Sequence, residues 1–196
     1  MAKGANDVIL RDRLQFDIDA TGATALVYGR IDLSDYVSIV ENKGLAIKEV
    51  RFMLRDPNTT VGNWPALLID PTAPGATGIE TANVKIFATT TAYELVTDVG
   101  TASPNVLCVY TQSQTGIFQN TAGQSLIRLD DWYGTPDLHP EGYDVVTDLL
   151  IGIACSGLTS TALFSNTCEL DVMIIAEPKK ITQKDLTQML TQAQDL

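Results

Sequence analysis

Apolar residues in this 196-residue chain recur mostly at every second position, a period that suits strands with one wet face and argues against long amphipathic helices. Leu14, Phe16, Ile18 and Ala20 alternate with Gln15, Asp17 and Asp19 until Thr21-Gly22 turns the chain. A second strand is expected over 25–33. The same alternation returns at Val50, Phe52 and Leu54, at Val84, Ile86 and Ala88, at Thr147, Leu149, Ile151 and Ile153, and at Cys168, Leu170, Val172 and Ile174. Fuller apolar runs over 64–69, 106–111, 125–130 and 158–164 also read as strands, roughly ten in all. Twenty-three threonines suit sheet surfaces, where the β-branched carbon tolerates extended backbone and the hydroxyl faces water. Gly- and Pro-bearing loops separate the strands, and no repeat of fixed period divides the chain. The expectation is an all-β, two-sheet β-sandwich over residues 1–178, with a C-terminal helical appendage over 179–196.

Two helices are expected. One spans 34–42, with Ser34 as N-cap, Tyr36, Val37 and Val40 as a partial apolar face, and Gly44 as a stop. The other starts at Thr182 as N-cap, with Asp185 at N3 and Ile181 and Leu186 as the two halves of a hydrophobic staple. Leu186, Met189, Leu190 and Ala193 form one narrow stripe on an otherwise polar helix. So short a segment is marginal alone and must dock, on its own sandwich or on a neighbouring subunit. Ile181, Leu186, Met189, Leu190 and Ala193 are the candidate subunit-interface residues.

Thirteen basic against 24 acidic residues give a formal charge of −11, the wrong sign for gripping a phosphate backbone. The imbalance is local: residues 1–55 hold eight of each sign, whereas 56–178 hold only Lys85 and Arg128 against 14 acids. No direct nucleic-acid partner is expected. The first residues lack the apolar segment of a signal peptide, and the longest apolar run, from Leu149 to Cys155, is too short to span a bilayer. The expectation is a chain made in the host cytoplasm, without a leader or transmembrane segment. Cys108, Cys155 and Cys168 have no metal-binding spacing and read as small apolar fillers in strands.

Catalysis finds little to work with. His139 is the only histidine, so any nucleophile–histidine device would have to be built on it. It lies in Asp137-Leu138-His139-Pro140-Glu141, where Asp137, His139 and Glu141 are the residues that would hold a divalent ion. Their spacing matches neither an EF-hand nor a zinc signature, so no metal or cofactor is expected. Trp132-Tyr133 beside Asp130-Asp131 is the one cluster of aromatic and acidic side chains, the pairing a sugar-binding surface would use. The glycines around 75–78 and 152–157 lack the lysine of a phosphate-binding loop. Asn58-Thr59-Thr60 matches a glycosylation acceptor by composition alone. The chain is expected not to be an enzyme.

A threonine-rich sandwich with long loops, an acidic middle and a terminal clamp-like helix over 181–196 resembles the single jelly-roll coat proteins of viruses, through strand count over residues 8–177. The resemblance implies a jelly roll, a location in the virion, and a capsid role as a homo-oligomer or beside other capsid subunits. It differs from genome-binding coat proteins in lacking a strongly basic N-terminal arm, since residues 1–13 offer only Lys3, Arg11 and Arg13 against Asp7 and Asp12. That difference implies a genome contacted by something else, either a separate core protein or an internal virion membrane lying close to the shell. The alternatives are a carbohydrate- or calcium-binding β-sandwich using the acidic 130–144 loop, or another virion part such as a tail or decoration protein.

Overall fold

The computed structural model describes residues 6–70, 78–119, 123–133 and 141–192. Among them the chain runs β1 (Val8–Asp17), β2 (Thr24–Ile31), β3 (Lys43–Arg55), β4 (Gly78–Thr89), β5 (Val106–Gln119), β6 (Gly123–Tyr133), β7 (Tyr143–Val145), β8 (Leu149–Ser156), β9 (Thr167–Lys180) and α1 (Gln183–Gln192). The strands form two antiparallel sheets, a four-stranded one in the order β1-β9-β3-β7 and a five-stranded one in the order β2-β8-β4-β5-β6. The protein is an all-β, two-sheet sandwich.

The pairings are nested. β1 pairs with β9, β2 with β8, β3 with β7 and β4 with β5, so early strands meet late ones; β9–β3 and β8–β4 contacts then join these pairs into sheets. Alternation decides what each strand places between the sheets. Phe16, Ile47, Val50, Leu170 and Ile174 come from the four-stranded sheet, and Val84, Ile86, Cys108, Ile151 and Ile153 from the five-stranded one, all buried in one continuous core. Burial of each large apolar side chain stabilises the fold by roughly 1.5–3 kcal/mol.

A second, smaller core lies on the outer face of the five-stranded sheet. Phe87, Val99 and Val109 are buried there, with Tyr28, Tyr93 and Val96 packed around them. The covering segment, including a 3-10 turn at Val96–Asp98, is tied down at two points. Lys85 donates from Nζ to the carbonyl oxygens of Val96 (3.1 Å) and Val99. Tyr28 Oη receives the Tyr93 amide at 2.8 Å and donates to the Tyr93 carbonyl at 3.0 Å. Burial holds the Lys85 ammonium below its ordinary pKa.

Several expectations need correction. Residues 34–42 are not a helix. The Leu33 carbonyl accepts from the Tyr36 and Val37 amides in a single turn, after which Ser38 and Lys43 exchange backbone hydrogen bonds of 3.0 and 2.9 Å and Asn42 takes φ 53°. The proposed apolar face also fails to bury, Val40 being 93% exposed, so nothing compensates a short helix for its nucleation cost. Residues 64–69 and 158–164 are not strands either. They are loops that bind one another at one end of the sandwich, the Thr159 and Ser160 amides donating to the Leu68 carbonyl at 3.0 and 3.1 Å. Leu68, Ile69, Leu158 and Leu163 are fully buried there, which explains the apolar runs without a ladder. Nine strands are described, and the short β7 was not anticipated.

The C-terminal helix forms over Gln183–Gln192, whereas Lys179 and Lys180, expected to belong to the helical appendage, extend β9 and pair with Gly44 and Lys43 of β3. Thr182 Oγ1 accepts the Asp185 amide at 3.2 Å as an N-cap and donates to Asp185 Oδ2 at 2.6 Å. Ile181 and Leu186 are buried with Val146 against the chain's own sandwich. No helix among the described residues is long and apolar enough to cross a membrane.

Candidate functional site

The short β7 pairs only with Leu45, Ala46 and Ile47 of β3. Beyond those residues a cleft of about 380 Å³ opens between β3, the 64–66 segment, and the inner face of β5 and β6. Alternation sets Tyr110 and Gln112 on that inner face. The antiparallel register then puts Trp132 opposite Tyr110 and Asp130 opposite Gln112. The Trp132 ring packs against Tyr110 (centroids 5.3 Å apart) and against Phe52 from the facing sheet (5.8 Å), yet stays 42% exposed. Trp64 closes the other side and packs against Phe16 at 6.3 Å.

The polar groups around these rings are interconnected. Arg128 pairs with Asp130 at 3.1 Å, and the Gln112 amide, with its oxygen turned toward the guanidinium, accepts from Arg128 at 2.9 Å. Tyr110 Oη reaches Asp130 Oδ1 at 3.4 Å. Burial, followed by the Asp130 carboxylate, pushes the Tyr110 phenol above its ordinary pKa. Deeper in, the buried Gln114 side chain accepts the Leu68 amide at 2.7 Å and donates to the Ala66 carbonyl at 2.6 Å, anchoring the loop that carries Trp64. An exposed indole beside a paired guanidinium and carboxylate suits a flat ligand that carries hydroxyls.

A different chemistry occupies the outer face of the four-stranded sheet. Arg13 bonds Asp171 at 2.6 Å, Arg55 bonds Glu169 at 3.2 Å, and Lys48 bridges Asp7 and Glu177 at 2.6 and 2.5 Å. Glu169 also lies 3.4 Å from Arg13, which links the first two pairs. Arg13, Lys48 and Arg55, three of the eight basic residues of 1–55, are thus paired with carboxylates on this face, which makes it a mixed-sign surface rather than a cationic patch.

Of the residues singled out for a metal, Asp137 and His139 lie outside the described residues. Glu141 is exposed, and Asp144 nearby forms an ion pair with Lys179 at 2.7 Å. Among the described residues no His, Cys, Asp and Glu side chains cluster as metal ligands. Trp132 lines the cleft and Asp130 shares its face of β6, paired with the cleft residue Arg128, whereas Asp131 and Tyr133 fall on the opposite face. Of the interface candidates, Ile181 and Leu186 are covered by their own chain and Met189 is half-buried beside them; Ala193 lies outside the described residues, and Leu190 is placed in α1 by its backbone alone. Cys108, Cys155 and Cys168 are free, buried, and located in β5, β8 and β9.

The sequence reading missed Phe52, Trp64, Tyr110, Gln112 and Arg128 as residues that line the cleft with Trp132. They come from three strands and a loop. Alternation marks the face each residue occupies but carries no signal for which strands are neighbours.

No family model matches the chain, and no curated protein matches it.

Proposed function

We propose that this chain is a structural subunit of a virion shell, assembling with copies of itself or with other capsid subunits and leaving the genome to another component. The nested strand pairing carries the reading. Setting β6 aside, eight strands pair first with last, second with seventh, third with sixth and fourth with fifth, a nesting that supports a double-sheet jelly roll of two Greek keys. Jelly rolls recur in viral capsids because a wedge-like sandwich can offer sheet edges, loops and outer faces to several neighbours at once. The net charge of −11 supports a subunit that does not grip nucleic acid. Ion-paired sheet surfaces and exposed aliphatic side chains at Ile79, Ile127 and Leu129 support contacts between protein subunits.

The test is the mass of the purified full chain by light scattering, with negative-stain imaging of the same fraction. Closed particles or tubes of megadalton mass are expected. A monomer that persists across salt, pH and protein concentration overturns assembly from copies of this chain alone.

The Trp132 cleft favours a second reading, a carbohydrate-binding sandwich, since jelly rolls also serve as lectin domains. Titration of the chain with a panel of neutral oligosaccharides, read by tryptophan fluorescence, separates the two. Saturable quenching that Trp132→Ala abolishes, in a chain that stays monomeric, would put the sugar reading first.

A further inference from the structure

Among the described strands, β6 ends its sheet. It pairs with β5 along its full length, from Gly123 opposite Gln119 to Tyr133 opposite Val109, and no described strand lies on its other side. The other sheet margins are blunted in familiar ways. β7 has three residues, β2 is interrupted by a bulge between Thr24 and Val27, and β1 carries Arg11, Asp12 and Arg13 in succession. β6 has eleven residues, no proline, and only its first residue is glycine. Its outer face presents Ile127 (49% exposed) and Leu129 (62%), a long and partly apolar edge of the kind that recruits another strand.

We propose that β6 pairs antiparallel with β6 of a second copy of this chain, about a two-fold axis through Leu129, merging two five-stranded sheets into one of ten strands. The inference rests on the shell-subunit reading and names one of its contacts. The charge pattern of the strand selects both the partner and the register. With Leu129 opposite Leu129 of the second copy, Arg128 lies opposite Asp130 and Asp130 opposite Arg128. Each intrachain Arg128–Asp130 pair then becomes half of an alternating quartet on the inner face. Moving the register by two residues in total sets Arg128 against Arg128 or Asp130 against Asp130, which like-charge repulsion disfavours. Residues of equal parity face the same side of a sheet, so Leu129 extends the exposed apolar row of Ile127 across the axis while both sandwiches stay on one side. A strand with a different charge order gains no such match, which is why the partner is a second copy.

The experiment uses full-length chain in sedimentation equilibrium and cysteine cross-linking. Arg128→Asp and Asp130→Arg, made singly, should each raise the dimer dissociation constant by about tenfold or more, while the double exchange, which restores opposite charges across the axis, should recover wild-type affinity. Leu129→Cys should cross-link under mild oxidation, because the two introduced thiols face each other, and Ile127→Cys, placed opposite Asp131, should not. Circular dichroism establishes that each variant is folded. No rescue in the double exchange, or equal cross-linking at 127 and 129, overturns the proposed register. A wild-type chain with no dimer and no Leu129→Cys cross-link overturns the pairing itself. The two readings fail separately. Particles that persist in Arg128→Asp without cross-linking at 129 leave the shell and remove this contact, whereas cross-linked dimers without particles do the reverse.

Discussion

Gly152 offers the most stringent test of the packing described above. It sits in the middle of β8, opposite Phe87 of β4 on one side and Tyr28 of β2 on the other. The Phe87 ring lies across the space a side chain would fill. A Cβ built at position 152 would stand 2.2 Å from Phe87 Cζ and 2.7 Å from both Cε atoms, over an ångström inside normal carbon contact. The ring has little room to retreat, since it meets Tyr28 edge-on with centroids 5.8 Å apart and is buried with Val99 and Val109. Gly152→Ala should therefore cost about 1–3 kcal/mol as an overpacked site, offset in part by the roughly 0.4–1 kcal/mol that alanine contributes by restricting the unfolded chain. For a chain of this length the net loss of about 0.6–2 kcal/mol corresponds to a melting temperature lowered by about 1–8 °C. Displacing Phe87 should also loosen the segment over it, so the Tyr93 amide, held by Tyr28 Oη, should exchange faster with deuterium. Phe87→Leu frees the space, and the double variant should lose less than the sum of the two single changes. Unchanged or higher stability in Gly152→Ala, or strict additivity in the double variant, would refute this account of Phe87 and Gly152.

Burial pushes Cys108 and Cys155 up to about 12, and the same cause raises Cys168, so a thiol reagent at pH 8 should label none of them until denaturant is added; rapid native labelling would contradict the burial. Gln114→Ala leaves the buried Leu68 amide without its partner, at about 1–3 kcal/mol, and releases the part-buried Ala66 carbonyl, so chemical denaturation together with the Trp64 emission should report a loosened loop. The Asp19 carboxyl is held below its ordinary pKa chiefly by the Thr21 hydroxyl, with the Ala23 and Thr21 amides adding to it. Its contribution to stability is therefore complete above the ordinary aspartate value and is lost as pH falls through the lowered one. Asp19→Asn should flatten the acid limb of the stability–pH curve, and an unaltered limb would show that this turn does not feel the charge.

Much of the sandwich was legible in the sequence because a strand with one wet face writes its burial directly into every second residue. Val84, Ile86 and Ala88 were marked this way, as were Cys168, Leu170, Val172 and Ile174, and all of them are buried. The capped helix was equally legible, since Thr182, Asp185, Ile181 and Leu186 act within six residues of one another. The errors have one physical source. Leu68, Ile69, Leu158 and Leu163 are as apolar as any strand residue, but their backbones bond between two loops instead of to a ladder, and hydrophobicity does not distinguish the two cases. The start of β1 was obscured in the opposite way, because Arg11, Asp12 and Arg13 break the alternation while the ladder to β9 continues beneath them.

The cleft and the sheet margins depend on relations that lie far apart in the chain. Phe52, Tyr110 and Trp132 become neighbours only once β3 faces the five-stranded sheet and β5 pairs with β6. The same holds for Arg13 with Asp171 and Arg55 with Glu169, partners more than 100 residues apart. Sequence alone determined the all-β class, the wet and dry faces of most strands, the acidic balance and the terminal helix, because each follows from local spacing or from a count. Tertiary structure alone decided the strand order, the aromatic cleft, the mixed-charge face and the place of β6 at the margin of the described sheet, because period-two alternation specifies which way a side chain points and leaves the neighbouring strand to long-range packing.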